Sequence, residues 1–232
     1  MVIDDLADRA HDCDILLDQN YHLNMNTRYN KLNTDCELLL GPSYALLRNE
    51  FSLFRKKSFV RNGIIKRLLI FFGGIDAENC TSLAIEAISE LNLDIAVDVV
   101  IGKYNPFKEQ VKNACRSYKY NCHIQTNRIA ELMSFADLAI GGAGISSLER
   151  CSLGLPAVII SIANNQIEVA RSLHSIGASF YLGSSENISK ENIKKIIQDL
   201  YQSPHKVKRA AIAAYSLVDG LGTKRVRRSM GI

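Results

Sequence analysis

Between Lys66 and Leu217, short apolar runs alternate with segments of helical period, joined by connections of a few residues. That order leaves a chain few choices of fold. Leu68-Leu69-Ile70-Phe71-Phe72 is a continuous apolar run, the pattern of a strand buried on both faces of a parallel sheet. Gly73-Gly74 ends it, and Leu83, Ala84, Ala87, Ile88 and Leu91 then recur at helical spacing between Glu78 and Leu91. The same alternation predicts strands at 95–101, 122–124, 137–141, 158–162 and 180–182. It predicts helices at 107–118, 129–135, 146–153, 167–176, 190–202 and 206–217, with Ser189 as a cap on the helix that follows it. The expectation is a doubly wound α/β domain: a parallel sheet covered on both faces, with ligands at the carboxyl ends of its strands.

The first residues have a different texture. Val2-Ile3, Ile15-Leu16-Leu17 and Leu38-Leu39-Leu40 are short apolar runs, the last closed by Gly41-Pro42, and they predict strands of a sheet whose beginning is missing. The stretch with Arg55, Lys56, Lys57, Arg61 and Lys66 is polar and basic. We therefore expect a partial N-terminal α/β domain at 1–52, a linker at 53–66, the main α/β domain at 67–217 and a C-terminal tail at 218–232.

Composition excludes several classes. At 47% hydrophobic and 22% charged residues the chain is neither disordered nor fibrous. The net charge of +4 comes largely from Lys206, Lys208, Arg209, Lys224, Arg225, Arg227 and Arg228, read as a solvated face and a frayed end. There is no Trp and no basic stripe interleaved with aromatics, so no nucleic-acid partner is expected. The six cysteines form no C-x-x-C pair and no zinc spacing with His, and read as reduced thiols without a metal. No apolar run reaches membrane-spanning length and the N-terminus is no signal sequence, so the expected location is the cytoplasm. The five histidines, His11, His22, His123, His174 and His205, have no obvious carboxylate or nucleophile partner and read as structural or exposed.

Three strand-end loops carry candidate ligand chemistry. Gly73-Gly74-Ile75-Asp76 offers uncovered amides at a helix start, or else is a plain turn with Asp76 as the cap. Gly141-Gly142-Ala143-Gly144-Ile145-Ser146-Ser147 combines three glycines with two hydroxyls, which suits a diphosphate, and Glu149 one turn later can accept from two ribose hydroxyls. The competing reading has Ser146 capping the helix with Glu149 as its capping-box partner. Asn164-Asn165-Gln166 presents amides that both donate and accept, or else caps a helix. Asp4-Asp5 follows the first strand and either faces a cleft or is a pair of loop acids.

The stretch from His123 to Ser161, with Asn164-Asn165-Gln166 after it, resembles the donor-binding half of GT-B glycosyltransferases of the MurG type. It is more closely similar to the PseG-type UDP-2,4-diacetamido-2,4,6-trideoxy-β-L-altropyranose hydrolases of pseudaminic acid biosynthesis. Four further stretches carry that second likeness: Asp4-Asp5 to Arg9 with Asp12-Cys13-Asp14; Leu40-Gly41-Pro42 with Tyr44-Ala45-Leu46-Leu47-Arg48 and Phe51; Phe72-Gly73-Gly74 with Asp76; and Asp219-Gly220 with Gly222. The resemblance implies a GT-B-like fold: a doubly wound Rossmann-like C-terminal domain preceded by a partial N-terminal Rossmann-like domain. It implies a UDP-sugar substrate, no cofactor and no metal, and a monomer with a complementing N-terminal domain as possible partner. Carried over residue by residue, Glu149 would hold the ribose, and Gly142, Gly144, Ser146 and Ser147 the diphosphate. Gly73, Gly74, Asp76, Asn165 and Gln166 would line the pyrophosphate and sugar side. The implied reaction is attack of water at the anomeric carbon with inversion, releasing UDP and the free sugar. The general base of that family lies on a Gly-x-Gly-His loop that these residues do not contain, which leaves the catalytic residue unassigned. A GT-B transferase using a UDP-sugar donor and a non-catalytic UDP-sugar-binding module stay open beside the hydrolase.

Overall fold

The computed structural model describes residues 1–32, 35–57 and 61–232. Its larger part is a six-stranded sheet with every pair parallel. The strands are β4 (Arg67–Phe71), β5 (Ala96–Ile101), β6 (Asn121–Ile124), β7 (Leu138–Gly141), β8 (Ala157–Ser161) and β9 (Phe180–Ser184). They follow β1 (Val2–Ile3), β2 (Ile15–Asp18) and β3 (Glu37–Leu40), which form a separate parallel sheet in that order. The large sheet runs β6-β5-β4-β7-β8-β9. The chain thus builds outward from β4 to β6, then returns to lay β7 on the other side of β4. That reversal between β4 and β7 is the switch point of a doubly wound fold, where the loops after both strands diverge and leave a crevice.

Period-two burial makes two cores. Leu68, Ile70, Val97, Val99, Leu138, Ile140, Val158 and Ile160 face one side. They meet α2 (Cys80–Ser89), α3 (Lys108–Tyr118) and α7 (Lys190–Gln202) through Ile85, Val111, Ile193 and Ile197. Leu69, Val100, Ala139 and Ile159 face the other. There they meet α4 (Ile129–Phe135), α5 (Ile145–Ser152), α6 (Asn165–Ser175) and α8 (Pro204–Leu217) through Met133, Leu148, Leu173 and Ala214. Ser189 caps α7 in a reciprocal box with Asn192.

The described residues of the segment read as a linker pack against the large sheet's domain. Residues 53–57 continue α1 (Asn49–Lys57), whose Phe51 is fully buried in the second of these cores. Arg55 donates to the Ser152 and Tyr215 carbonyls and stacks 3.5 Å from the centroid of Tyr215. Arg61 is buried and donates to the carbonyls of Met133, Ser134, Ala136 and Leu153. The segment read as a tail is also ordered. Its helix α9 (Gly222–Ser229) returns to the small sheet, where Val226 closes a cluster with Leu17 and Leu39. A Cβ on Gly222 would lie 2.4 Å from Ala45 N, so only glycine permits that approach. Thr223 and Arg225 then donate to the carbonyls of Leu47 and Ser43. Basic composition hid both segments, because long cationic side chains bury their stems and present donors to carbonyls at helix ends. No helix among the described residues is long and apolar enough to cross a membrane.

Candidate functional site

The loops after β4 and β7 open onto a cavity of about 430 Å³ at the switch point. Gly73 and Gly74 line one wall; a Cβ on either would meet nothing within 4 Å, so this backbone faces open space. Gly102, at the end of β5, would place a Cβ 2.1 Å from the Gly74 carbonyl oxygen, so it has to be glycine for the two loops to lie together. Gln125 and Thr126 after β6 line the far end, beside Phe72, Ile101 and Ile129. Gly142, Gly144, Ile145, Ser146, Glu149 and Gln166 form the opposite wall.

The start of α5 is the most polar part of that wall. Its N-cap is Gly144, and no side chain caps it. Among the described residues the N–H groups of Gly144, Ile145 and Ser146 have no acceptor. Three open donors at a positive helix end form a site for an anion. Ser147 serves the loop rather than the cavity. It is buried, and both its N–H and its hydroxyl donate to the Gly144 carbonyl at 2.8 Å. Ser146 lines the cavity, and its hydroxyl accepts from Arg150 at 3.3 Å. The alternative capping box is not formed, because Glu149 turns to the cavity wall. There its carboxylate lies 3.8 Å from the guanidinium of Arg48, which also pairs with Glu50 at 2.8 Å. Burial raises the Glu149 pKa, opposed by Arg48 and Arg150.

The remaining predicted residues divide. Gln166 lines the cavity and also ties two strand ends, its Oε1 accepting from Ala143 N at 3.1 Å and Ile162 N at 3.2 Å. A second hollow of about 220 Å³ shares Gly144, Ile145 and Gln166 with the first and runs between the two sheets. Asn165 and Asp5 line it from opposite sides and meet at 3.3 Å, while the Asp4 carboxylate is occupied by the amides of Asp5, Leu6 and Ala7 and by the Tyr29 hydroxyl. Asp76 is turned away from both hollows: it is buried, adopts a left-handed φ of 49°, and accepts from Cys80 N and Thr81 N at the start of α2. Asp76→Ala is therefore expected to cost about 1 kcal/mol, as loss of a helix cap does. The measurement is a lower denaturation midpoint at unchanged slope.

Several neighbours were not legible locally. Arg48, just before α1, also lines the cavity. Gln125, with a left-handed φ of 49°, accepts from Lys103 N through its side-chain oxygen; Gln125 and Thr126 lie within the stretch that carries the resemblance but are not singled out by it. Three histidines do have carboxylates nearby: His123 with Asp98 at 2.9 Å, His11 with Asp4 at 3.6 Å, and His22 between Asp18, four residues before it, and the distant Glu168.

Residues 67–223 match the glycosyltransferase family 28 C-terminal domain. The spore coat polysaccharide biosynthesis protein SpsG of Bacillus subtilis is 29% identical over 195 residues, which cover 80% of this chain and 56% of that protein. Among solved structures, MurG of Acinetobacter baumannii superposes with a TM-score of 0.59 at 20% identity, covering 72% of this chain and 52% of its own. A putative UDP-N-acetylglucosamine 2-epimerase of Listeria monocytogenes superposes with a TM-score of 0.63 at 14% identity, covering 94% of this chain and 59% of its own. At those identities the two structures show the fold alone, a parallel α/β Rossmann-like arrangement matching GT-B neighbours. The chain spans 56% or less of the length of the curated relatives that it matches.

Proposed function

The chain belongs to the glycosyltransferase family 28 C-terminal domain family, and from that premise we propose that its cavity binds a UDP-sugar, with hydrolysis of the anomeric C–O bond as the reaction. The observation that carries the reading is the set of three open amides at the start of α5 facing the same cavity as Glu149. A diphosphate needs donors without bulk, a ribose needs an acceptor for two hydroxyls, and the two lie one helical turn apart. Gln125, Thr126 and the apolar side chains of Phe72 and Ile129 offer the far end of the cavity to the uracil ring. The hollow with Asn165, Gln166 and Asp5 then receives the sugar, whose hydroxyl and amide groups both donate and accept.

In this reading a water oxygen bonds to the anomeric carbon from the face opposite the diphosphate, one of its O–H bonds breaks with the proton passing to solvent, and the C–O bond to the β-phosphate breaks, giving inversion. UDP leaves with the electron pair. The negative charge that grows on the β-phosphate meets the open amides and the positive end of α5, which stabilises the transition state more than the bound substrate. The likeness to the pseudaminic acid hydrolases supports a 2,4-diacetamido-2,4,6-trideoxy sugar, and the relative named for spore coat polysaccharide supports a place in surface-glycan synthesis. The family match favours a second reading, transfer of the sugar to an acceptor.

Incubation with UDP-sugars separates the two. Hydrolysis predicts release of UDP and free sugar with no acceptor present. UDP release that appears only when an acceptor is added would replace hydrolase by transferase. Binding of UDP without turnover in either case would leave a binding module.

A further inference from the structure

Among the largest fully buried side chains of the molecule is a cation, Arg150, on α5 directly behind the glycine loop. Its guanidinium donates to the Gly142 carbonyl at 2.5 Å and to the Ser146 hydroxyl at 3.3 Å. Both acceptors are neutral, and among the described residues no carboxylate lies within 4.0 Å of it; Glu149, its neighbour in sequence, keeps its carboxylate beside Arg48. Burying a guanidinium without a close counter-ion is costly, and a chain keeps such a group where the charge or the forked donors are used. A Cβ on Gly141 would come 2.2 Å from the Phe71 carbonyl oxygen and 3.0 Å from Nη1, so the first glycine of the loop lets the neighbouring strand and the arginine pack close, and is not open to a ligand.

We propose that Arg150 is a positioning residue of the phosphate-binding loop, holding the Gly142 carbonyl and the Ser146 hydroxyl back from the cavity so that the amides of Gly144, Ile145 and Ser146 face it, and adding a buried positive charge behind them. This inference rests on the diphosphate reading of the site and deepens it. The fork explains the direction of the loop. A carbonyl drawn toward the guanidinium cannot point at the anion, and a hydroxyl accepting from Arg150 turns its lone pair inward and its hydrogen outward, where it adds a donor for a phosphate oxygen. The charge explains the burial. Behind a loop of glycines, with little water between, it acts at a higher effective strength than a surface lysine does. Burial pushes the Arg150 pKa down to about 10, so the group stays charged at neutral pH. The recognised chemistry is a diphosphate; a ligand lacking phosphate gains nothing from either effect.

The test compares UDP with uridine on the full chain and on Arg150→Met and Arg150→Lys, with circular dichroism to verify the fold. Methionine keeps much of the volume and removes charge and fork; lysine keeps the charge alone. The expected result is a five- to tenfold weaker UDP affinity in Arg150→Met, a smaller loss in Arg150→Lys, and uridine affinity within twofold of wild type in both. Unchanged UDP affinity, or parallel losses for UDP and uridine, would overturn the inference, and so would loss of the fold in both variants, which would assign Arg150 a structural role alone. Absence of UDP binding by the wild-type chain is a different failure: it removes the diphosphate reading itself, and this inference with it.

Discussion

Replacing Glu149 with alanine is expected to weaken UDP binding at least tenfold in a calorimetric titration, on the order of 1.4 kcal/mol. The carboxylate stands in the cavity wall with its side chain 13% exposed. Two ribose hydroxyls that gave up water to enter would lose their acceptor there, and a desolvated donor left unmade costs more than the bond is worth when formed. The substitution strands no charge, since Arg48 keeps Glu50 at 2.8 Å. Unchanged affinity would remove Glu149 from the ribose site. A pH series adds a second handle. Burial holds the Glu149 pKa above its ordinary value, with Arg48 and Arg150 pulling the other way. A folded acid that keeps its proton more tightly than the unfolded chain contributes stability below the unfolded pKa, and that contribution is lost as pH rises through the folded one. Binding runs oppositely, because only the carboxylate accepts two hydroxyls. UDP affinity is therefore expected to fall as pH drops through the raised value, at higher pH than an exposed glutamate would give. Glu149→Gln should lack that limb; the phosphate's own titration is common to both proteins and cancels in the comparison.

Much of the large sheet could be read from residue order. Helices at 129–135 and 190–202 have the bounds that apolar spacing predicts, because each carries one buried stripe and clear ends. The strands were legible as apolar runs because both faces of a parallel sheet are covered. Which loops meet at the switch point follows from the strand order seen in the structure, which brings Gly73 and Gly74 beside the cavity that Gly142 and Gly144 also line. The roles within those loops were less legible. Asp76 and Ser147 have the residue types of ligand contacts, yet backbone amides and carbonyls within two to five residues of them take up their hydrogen bonds. Local competition for the backbone is a property of short polar side chains that a motif cannot show. Gln166 is divided between both uses. Asp5 could be read as a cleft-facing acid, but its meeting with Asn165 comes only from tertiary packing, as does the place of Arg48 beside Glu149. Residues 33, 34 and 58–60 lie outside the described structure, the last three within the segment read as a linker.

Arg61, in that same segment, is the residue whose basic character misled most, and its removal is expected to have the largest effect on stability. Read as part of a polar basic linker, it is instead buried, and its guanidinium serves four carbonyls. Ala136 accepts at 2.7 Å, Leu153 at 2.5 Å, Met133 at 2.9 Å and Ser134 at 3.3 Å. Three of these are at the C-terminal end of α4, where the last carbonyls of a helix have no intrahelical donor. A cation there also meets the negative end of the helix. The fourth lies just beyond α5, so one side chain joins two helix ends that no backbone bond links. Burial lowers the Arg61 pKa to about 10, which leaves it charged across the neutral range. Hydrogen bonds from a charged group are worth about 1.5–3 kcal/mol each, and the carbonyls stranded by its loss are costly in turn. Not all four losses add, because a carbonyl has a second lone pair and water can reach part of the space. We therefore expect Arg61→Met to destabilise the fold by about 3 kcal/mol, a fall in melting temperature of roughly 10 °C for a chain of this size. Arg61→Lys, with one ammonium in place of the fork, should recover only part of it. A melting temperature within 2 °C of wild type in the methionine variant would show that solvent already satisfies these carbonyls, and that the connection between α1 and β4 carries no weight in holding the large domain together.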